Sequence, residues 1–228
     1  MIWTIIAAVL VLSISTWFGT KRFIKLEQIT GRKFLLAGTF ALFIFLILRY
    51  LNDLGYFPEL LAAGFMANTY ASISGFFIGA AFDQYKMKKN LGDIEYVNTA
   101  FISDLLPNLI ALTLMILGIA RTSIFDQQPI TPISMAAGLS LMSIGLYAIT
   151  LRITPEFRKK GFVILDREIP WKNLISYNWH QEQVIELEFE YEQTIRIHRS
   201  VVAPEDEKKV EQILAKKMIE RLEKEADS

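Results

Sequence analysis

The chain has 228 residues, 52% of them hydrophobic, and its 24 basic and 24 acidic side chains give a formal net charge of zero. It contains no cysteine, which excludes disulfides, thiolate metal sites and cysteine nucleophiles. The charge divides unevenly, because residues 153–228 hold 13 basic and 16 acidic side chains and the rest of the chain is net positive. We therefore expect an apolar N-terminal part with basic loops, followed by a mildly acidic soluble domain.

Apolar segments dominate the first two thirds of the chain. Five of them are each about long enough for a helix to cross the roughly 30 Å hydrocarbon layer of a bilayer. They cover residues 2–19, 34–50, 60–82, 99–120 and 133–151. The pattern predicts an integral, multi-pass membrane protein with a helical transmembrane bundle at residues 1–152 and a second domain at residues 153–228.

Basic residues mark one side of the predicted bundle. They lie between spans one and two, between spans three and four, and after span five: Lys21, Arg22, Lys25, Arg32, Lys33, Lys86, Lys88, Lys89, Arg152, Arg158, Lys159 and Lys160. By the positive-inside rule these segments are cytoplasmic, so the N-terminus faces outwards and the C-terminal domain faces the cytoplasm, with a bacterial inner membrane as the expected location. Three of the residues after span five are expected to contact anionic headgroups, at about 1 kcal/mol each: Arg158, Lys159 and Lys160.

The first apolar segment has an alternative interpretation as a cleaved signal peptide. Ser13 and Ser15 give the small-x-small pattern that signal peptidase reads. No basic segment precedes it, however, and cleavage would leave the most basic loop outside the membrane. The charge pattern therefore favours a retained first helix.

Span three carries a stripe of small residues at successive i+4 positions. Its members are Ala63, Ala67, Ala71, Gly75 and Gly79. In lipid, small residues let helix backbones come close together, and nearby polar side chains bridge helices. The stripe predicts a helix-packing surface inside the bundle, with a seam between protomers and the lining of a conduction path as alternatives.

Polar side chains form a second feature of the predicted membrane domain. Asp104 and Asn108 lie in span four and Asn68 lies in span three. Intramembrane carboxylates are by default functional candidates, so a proton or cation site is one hypothesis. The other is an interfacial helix cap, because Asp104 precedes Pro107 and both residue types suit a helix start.

Apolar and polar residues alternate along the C-terminal domain, as is typical of β-strands. In residues 185–191 the odd positions are apolar and the even positions are glutamate, which predicts an antiparallel sheet with one buried face. If Ile195 and Ile197 share that buried face, parity requires a loop with an odd number of residues. A three-residue loop from Tyr191 to Gln193 satisfies this, and Glu188 then faces Arg196. The two histidines, His180 and His198, fall on strand positions of a solvated, salt-bridged face.

A helix is predicted after the sheet. Pro204 opens it, with acidic residues in the first turn. Its apolar stripe consists of Val210, Ile213, Leu214, Met218 and Leu222. We expect this amphipathic helix to cover the open side of the sheet, with a partner-binding or membrane-surface helix as the alternative.

The C-terminal third resembles a known family. The similarity lies in Gly161 and Phe162, in the segment 169–179 with tryptophan at both Trp171 and Trp179, in the glutamate-rich strand and in the segment 210–214. With these residues, the chain is similar to a bacterial family of unknown function related to pleckstrin-homology-like (PH-like) domains. The resemblance implies a small α+β domain at the cytoplasmic end of a membrane protein. PH-like folds often bind phosphoinositides or proteins, and the glutamate-rich face favours a protein.

No motif in the sequence indicates catalysis. The chain has no HExxH, GxSxG, P-loop or dinucleotide fingerprint, so we expect no enzyme, metal or cofactor. The leading hypothesis is a membrane-anchored interaction, assembly or regulatory protein, with a protein partner or a homo-oligomer and no nucleic acid. The alternative is a small oligomeric transporter or channel that uses Asp104 and span three.

Overall fold

A computed structural model describes residues 2–21, 30–56, 58–99, 101–125 and 129–226. The chain divides into two compact units, one formed by Met1–Asp83 and Leu109–Thr150 and the other by Gln84–Asn108 and Leu151–Ser228. Two of the basic loop residues used above to predict orientation, Arg22 and Lys25, lie outside the described residues.

The N-terminal half is helical, as predicted. Its helices are α1 (Ile2–Thr20), α2 (Gly31–Asp53), α3 (Glu59–Asn90), α4 (Leu106–Arg121) and α5 (Pro132–Thr150). Within the described residues, α1, α2, α3 and α5 are long and apolar enough to cross a bilayer. The 16-residue α4 is shorter and follows a π-helical segment at Phe101–Leu105. Several long apolar helices of this kind fit a membrane protein.

Local chemistry sets the ends of α2. The Thr30 hydroxyl accepts a hydrogen bond of 3.4 Å from the backbone N–H of Lys33, which caps the helix at its start. After the helix ends, Gly55 adopts a φ of +77°, a left-handed conformation that costs glycine little.

The second unit contains two antiparallel sheets and a closing helix. The strands are β1 (Ile94–Val97), β2 (Glu156–Arg158), β3 (Gly161–Ile164), β4 (Arg167–Pro170), β5 (Leu174–Gln181), β6 (Val184–Tyr191) and β7 (Thr194–Val201). The strand order is β1-β2-β3-β4 in one sheet and β5-β6-β7 in the other. Helix α6 spans Glu207–Ala226. The predicted antiparallel sheet with a final helix is confirmed.

One strand of this unit comes from a segment that the sequence analysis treated as a loop. β1 lies between α3 and α4, and it pairs with β2, so that Ile94 is opposite Arg158 and Val97 is opposite Glu156. The four-stranded sheet is therefore completed by residues that precede its other strands by some sixty positions.

Aromatic side chains fill the core of the second unit. Phe162 lies between Trp171 and Phe189, with ring centroids 5.3 Å and 5.6 Å away. From α6, the fully buried Val210 and Leu214 pack into the same core. The prediction that this helix covers the sheet is confirmed, although Leu222 at the end of its predicted stripe is 58% exposed.

The register between β6 and β7 differs from the prediction. Tyr191 pairs with Thr194, so the loop has two residues, Glu192 and Gln193, with φ values of 53° and 61°. Positive φ at both central positions is the type I′ geometry that suits the twist of a hairpin. The prediction of a three-residue loop is wrong, and the one-residue difference moves the odd positions of β7 to the outer face of the sheet.

Candidate functional site

The small-residue stripe of α3 lies against α1. Ala67 and Ala71 are 1% and 4% exposed. A methyl group on Gly75 would overlap the carbonyl oxygen of Leu12, and one on Gly79 would overlap that of Thr16. Backbones this close are what small residues permit in a membrane bundle. Ala63, at the start of the stripe, is half-buried.

A second close seam joins α4 to α5. A methyl group on Gly118 would contact the carbonyl oxygen of Gly138 at 2.8 Å, and one on Gly145 would contact that of Ala111 at 2.6 Å. This seam was not predicted from the sequence, because its glycines are spread over two helices and do not form an i+4 stripe.

Asn68 and Ser15 make hydrogen bonds that fit a structural role. The Asn68 amide donates to the carbonyl oxygen of Gly64 at 2.8 Å, within its own helix. The Ser15 hydroxyl of α1 donates to the carbonyl oxygen of Ser72 in α3 at 2.5 Å. The Ser15 contact joins α1 to α3 where their backbones are close.

Asp104 lies in the π-helical segment before α4. Its Oδ1 accepts a hydrogen bond of 3.0 Å from the amide of Asn108, so two of the predicted polar residues are together. The same oxygen forms an ion pair with the guanidinium of Arg152. Asp104 is therefore a paired carboxylate in this structure. Asn68 does not belong to the same group, because it lies in the first compact unit and Asp104 lies in the second.

A buried charge cluster surrounds Glu156, whose side chain is 2% exposed. Its carboxylate lies 3.1 Å from the ammonium of Lys88, 3.5 Å from Nε of Arg152 and 2.5 Å from the guanidinium of Arg158. Because Arg152 also pairs with Asp104, the cluster joins the end of α3, the segment before α4 and strand β2.

The electrostatics of Glu156 follow from this arrangement. Burial alone would raise the pKa of its carboxyl, but the charges and hydrogen bonds of Lys88 and Arg158 together outweigh burial and lower that pKa. Glu156 is therefore held as a carboxylate, and removing it would leave buried cations without their counter-charge.

The three predicted headgroup contacts have different environments. The Arg158 guanidinium donates to the backbone carbonyl oxygens of Lys88 and Gly92 at 2.8 Å and 2.7 Å, and its side chain is 12% exposed. Lys159 and Lys160 form the exposed turn between β2 and β3. Lys159 pairs with Asp93 at 2.5 Å, and this contact raises the pKa of Lys159.

The outer face of the three-stranded sheet exposes three apolar side chains of β7 beside acidic side chains of β6. Ile195, Ile197 and Val201 of β7 are 65%, 59% and 60% exposed. Beside them on β6, Glu190 lies opposite Ile195 and Glu188 lies opposite Ile197. We call the surface of these five residues the β7 face. The sequence analysis assigned its isoleucines to the core, so this surface was missed.

The β7 strand is also an edge of its sheet. It pairs with β6 on one side, and within the described residues no strand pairs with its other side. Edge strands expose backbone N–H and C=O groups that can pair with another chain, and natural proteins often protect them with charged side chains, especially lysine, or with proline. β7 contains no lysine or proline, and its charged side chains include the exposed Arg199, which pairs with Glu186 at 2.6 Å.

The two histidines lie on different strands of the same sheet. His180 lies in β5 and His198 in β7, where burial and the charge of Arg167 lower the pKa of His198. In the part of the chain that the structure describes, no group of three or more His, Asp or Glu side chains is arranged to hold a metal ion.

Comparison with known proteins gives one match. Residues 153–219 match the family model DUF5673, a domain of unknown function. No curated protein and no solved structure matches the chain. The C-terminal part of the chain thus contains a DUF5673 domain. The matched residues include strands β2–β7 and most of α6.

Proposed function

We propose that this protein is a membrane-anchored docking protein whose cytoplasmic C-terminal domain receives a protein partner on the β7 face. The long apolar helices support the anchor. Two antiparallel sheets of four and three strands, closed by a C-terminal helix, support a PH-like fold for the domain. The basic loops support a cytoplasmic orientation of this domain, in a bacterial inner membrane.

The observation that carries the proposal is the exposure of Ile195, Ile197 and Val201 on an edge strand. Scattered exposed apolar residues are ordinary, but a row on one strand face beside an unpaired edge is a recognised way of binding an extended segment. Backbone hydrogen bonds to β7 would supply affinity, and the side chains of the β7 face would supply specificity.

Charge defines the partner's chemistry. Glu190 is exposed and adjoins Ile195, and Glu188 is half-buried and adjoins Ile197. A segment that alternates apolar and basic side chains would cover the isoleucines and face the glutamates. The same acidic residues disfavour direct contact of this face with an anionic bilayer.

The environment of Asp104 supports an anchoring role for the helices over a transport role. Its carboxylate is paired with Arg152 and hydrogen-bonded to Asn108. The small residues of α3 pack against α1. We accordingly propose that the helices anchor the protein and do not form a transport path.

Site-specific photocrosslinking tests the docking proposal. A photoreactive phenylalanine analogue replaces Ile195 or Ile197 of the full chain in its native cells, with Lys208 of α6 as the matched control position. We expect one protein adduct of constant mass from both β7 positions and none from position 208. A Glu190→Lys change should abolish the adduct, whereas Glu168→Lys on the exposed part of β4 should not.

Two results would overturn the proposal. One is the absence of an adduct from both β7 positions. The other is an adduct that forms equally from position 208 or persists with Glu190→Lys, because the acidic row would then contribute nothing to recognition.

A further inference from the structure

We propose that a basic cavity on the C-terminal domain binds a phosphomonoester group, carried either by a soluble molecule or by a lipid headgroup. The cavity has a volume of about 370 Å³ and is open to solvent. Three separate segments form it: the β2–β3 turn, the short helix at Trp171–Asn173 and the second half of α6. This site is distinct from the β7 face and does not depend on the docking proposal.

The lining of this cavity is strongly cationic. Its charged residues are Lys159, Lys160, Lys172, Lys217, Arg221 and the single acid Glu220. Two acids outside the lining neutralise two of these cations, since Asp93 pairs with Lys159 and Glu95 pairs with Lys217. Glu220 lies 3.9 Å from Lys216, a lysine outside the lining. The exposed Lys160 and Lys172 then supply two positive charges, which match the charge of a phosphomonoester dianion.

The floor of the cavity is fixed by buried hydrogen bonds. The Lys217 side chain is 9% exposed, and its ammonium donates to Oε1 of Glu95 at 3.1 Å and to the carbonyl oxygen of Lys159 at 3.2 Å. The ammonium also lies 5.9 Å from the centre of the Trp171 ring. A lysine ammonium has three N–H donors, so these two acceptors leave one for a ligand.

Neighbouring side chains are held in the same way. The Trp171 indole donates to the carbonyl oxygen of Arg158 at 2.8 Å, and Arg221 donates to the carbonyl oxygen of Leu174. A rigid floor lowers the entropic cost of binding. At the rim, the exposed Lys160 and Lys172 can close over an anion, as mobile lysines do on phosphates.

The walls of the cavity are consistent with a phosphate attached to a carbon skeleton. Pro170 and Trp171 contribute apolar surface next to the lysines. An inorganic anion would contact only the cations, whereas a phosphomonoester would also cover this apolar surface. We therefore expect phenyl phosphate to bind more tightly than inorganic phosphate.

Fluorine NMR of the full chain in phosphatidylcholine nanodiscs provides the test. The protein carries 5-fluorotryptophan, and a Trp171→Phe variant identifies the Trp171 signal. Inorganic phosphate and phenyl phosphate are titrated against sodium chloride of equal ionic strength. In a second arm, nanodiscs with phosphatidic acid, a phosphomonoester lipid, are compared with nanodiscs containing phosphatidylglycerol, a phosphodiester.

The expected result is a saturable shift of the Trp171 signal with the soluble phosphates, or a shift with phosphatidic acid but not phosphatidylglycerol. The first outcome identifies a soluble source and the second a lipid headgroup. Lys160→Gln combined with Lys172→Gln should weaken binding about tenfold, since each removes a charge-assisted contact. Lys208→Gln, an exposed position of α6 outside the cavity, is the matched control and should change nothing.

The proposal is overturned if neither arm moves the Trp171 signal. It is also overturned if phosphatidylglycerol acts as well as phosphatidic acid, or if Lys208→Gln weakens binding as much as the cavity variants. Those results would mean that only general attraction to negative charge operates here.

Discussion

Glu188 of β6 and Ile197 of β7 lie directly opposite each other on the outer face of the three-stranded sheet. Their pairing places an acidic row beside an exposed apolar row, with Ile197 59% exposed. A register shifted by one residue would have buried the isoleucine and removed the surface. The docking proposal therefore depends on this single pairing.

Disulfide trapping can check the pairing, because the chain has no cysteine of its own. Counting from the Tyr191–Thr194 pair at the turn, positions 188 and 197 form a pair without mutual hydrogen bonds, in which Cα atoms are about 4.5 Å apart. Cysteines at both positions should form a disulfide under mild oxidation. Loss of free thiols, measured by mass after alkylation, is the readout.

The comparison variant for this experiment carries cysteines at Glu188 and Arg196, the pair that the three-residue loop would have created. These side chains lie on opposite faces in the observed register and should stay reduced. Oxidation of that pair in preference to the first would show that the outer face is incorrectly assigned.

The sequence predicted those features that depend on local pattern. The length of the apolar segments predicted the helices. The alternation of apolar and acidic residues predicted β6, where Ile185, Leu187 and Phe189 are all nearly fully buried. The predicted β6–β7 register was wrong because Glu192 and Gln193 adopt positive φ without the Asn-Gly sequence that usually marks such a turn.

Features that depend on distant contacts could not be predicted. Ile94–Val97 is a four-residue segment whose strand partner, β2, begins at Glu156. Lys217 is buried where Glu95, 122 positions away, and the carbonyl oxygen of Lys159 accept its hydrogen bonds. A mixed run of lysines and acids in a helix gives no local sign of such a partner, so the basic cavity was missed.

Because α1 packs closely against α3, adding a side chain to a glycine should destabilise the protein at the contact and not at an exposed position. Gly79→Val would force the helices apart, because even a methyl group meets the backbone of Thr16. We expect a loss of about 1–3 kcal/mol in the free energy of unfolding. Gly38→Val is the matched control, since Gly38 of α2 has no atom within contact distance of an added Cβ.

Thermal unfolding of both variants in nanodiscs, followed by circular dichroism, measures this difference. Gly38→Val carries the same helix-propensity cost as Gly79→Val, so propensity cancels in the comparison. Equal destabilisation of the two variants would argue against close backbone contact between α1 and α3.

Glu156 should be the most sensitive acidic position in the second unit. Glu156→Gln keeps the shape of the side chain but leaves Lys88 and Arg158 without a buried counter-charge. We expect a loss of about 3–5 kcal/mol in the free energy of unfolding. Denaturant unfolding of the full chain, monitored by tryptophan fluorescence, measures it.

The exposed Glu190 supplies the control for this experiment. Glu190→Gln should change stability by no more than about 0.5 kcal/mol, as is usual for surface positions. A Glu156→Gln variant as stable as Glu190→Gln would show that the cluster does not hold the domain together.

His198 predicts a specific pH dependence of stability. Burial, then the charge of Arg167, lowers the pKa of His198 from its usual 6.5. The unfolded chain therefore binds this proton at a higher pH than the folded chain does, so stability falls as the pH drops below 6.5 and levels off below the folded-state pKa. His198→Gln should flatten this part of the profile.

Unfolding free energies of the wild type and His198→Gln, measured from about pH 8 downwards, check this prediction. Both proteins should have similar stability at the upper end, where histidine is neutral. Parallel profiles through the whole acidic range would contradict a lowered pKa of the half-buried His198.

Native mass spectrometry tests the central claim most directly. The full chain and a variant with both Ile195→Asp and Ile197→Asp are extracted in their own lipids and compared. The docking account predicts a discrete heteromeric complex with the wild type that is absent with the variant, although both chains remain folded by circular dichroism. The same species in both samples, whether a complex or the chain alone, would contradict the β7 face as a docking surface.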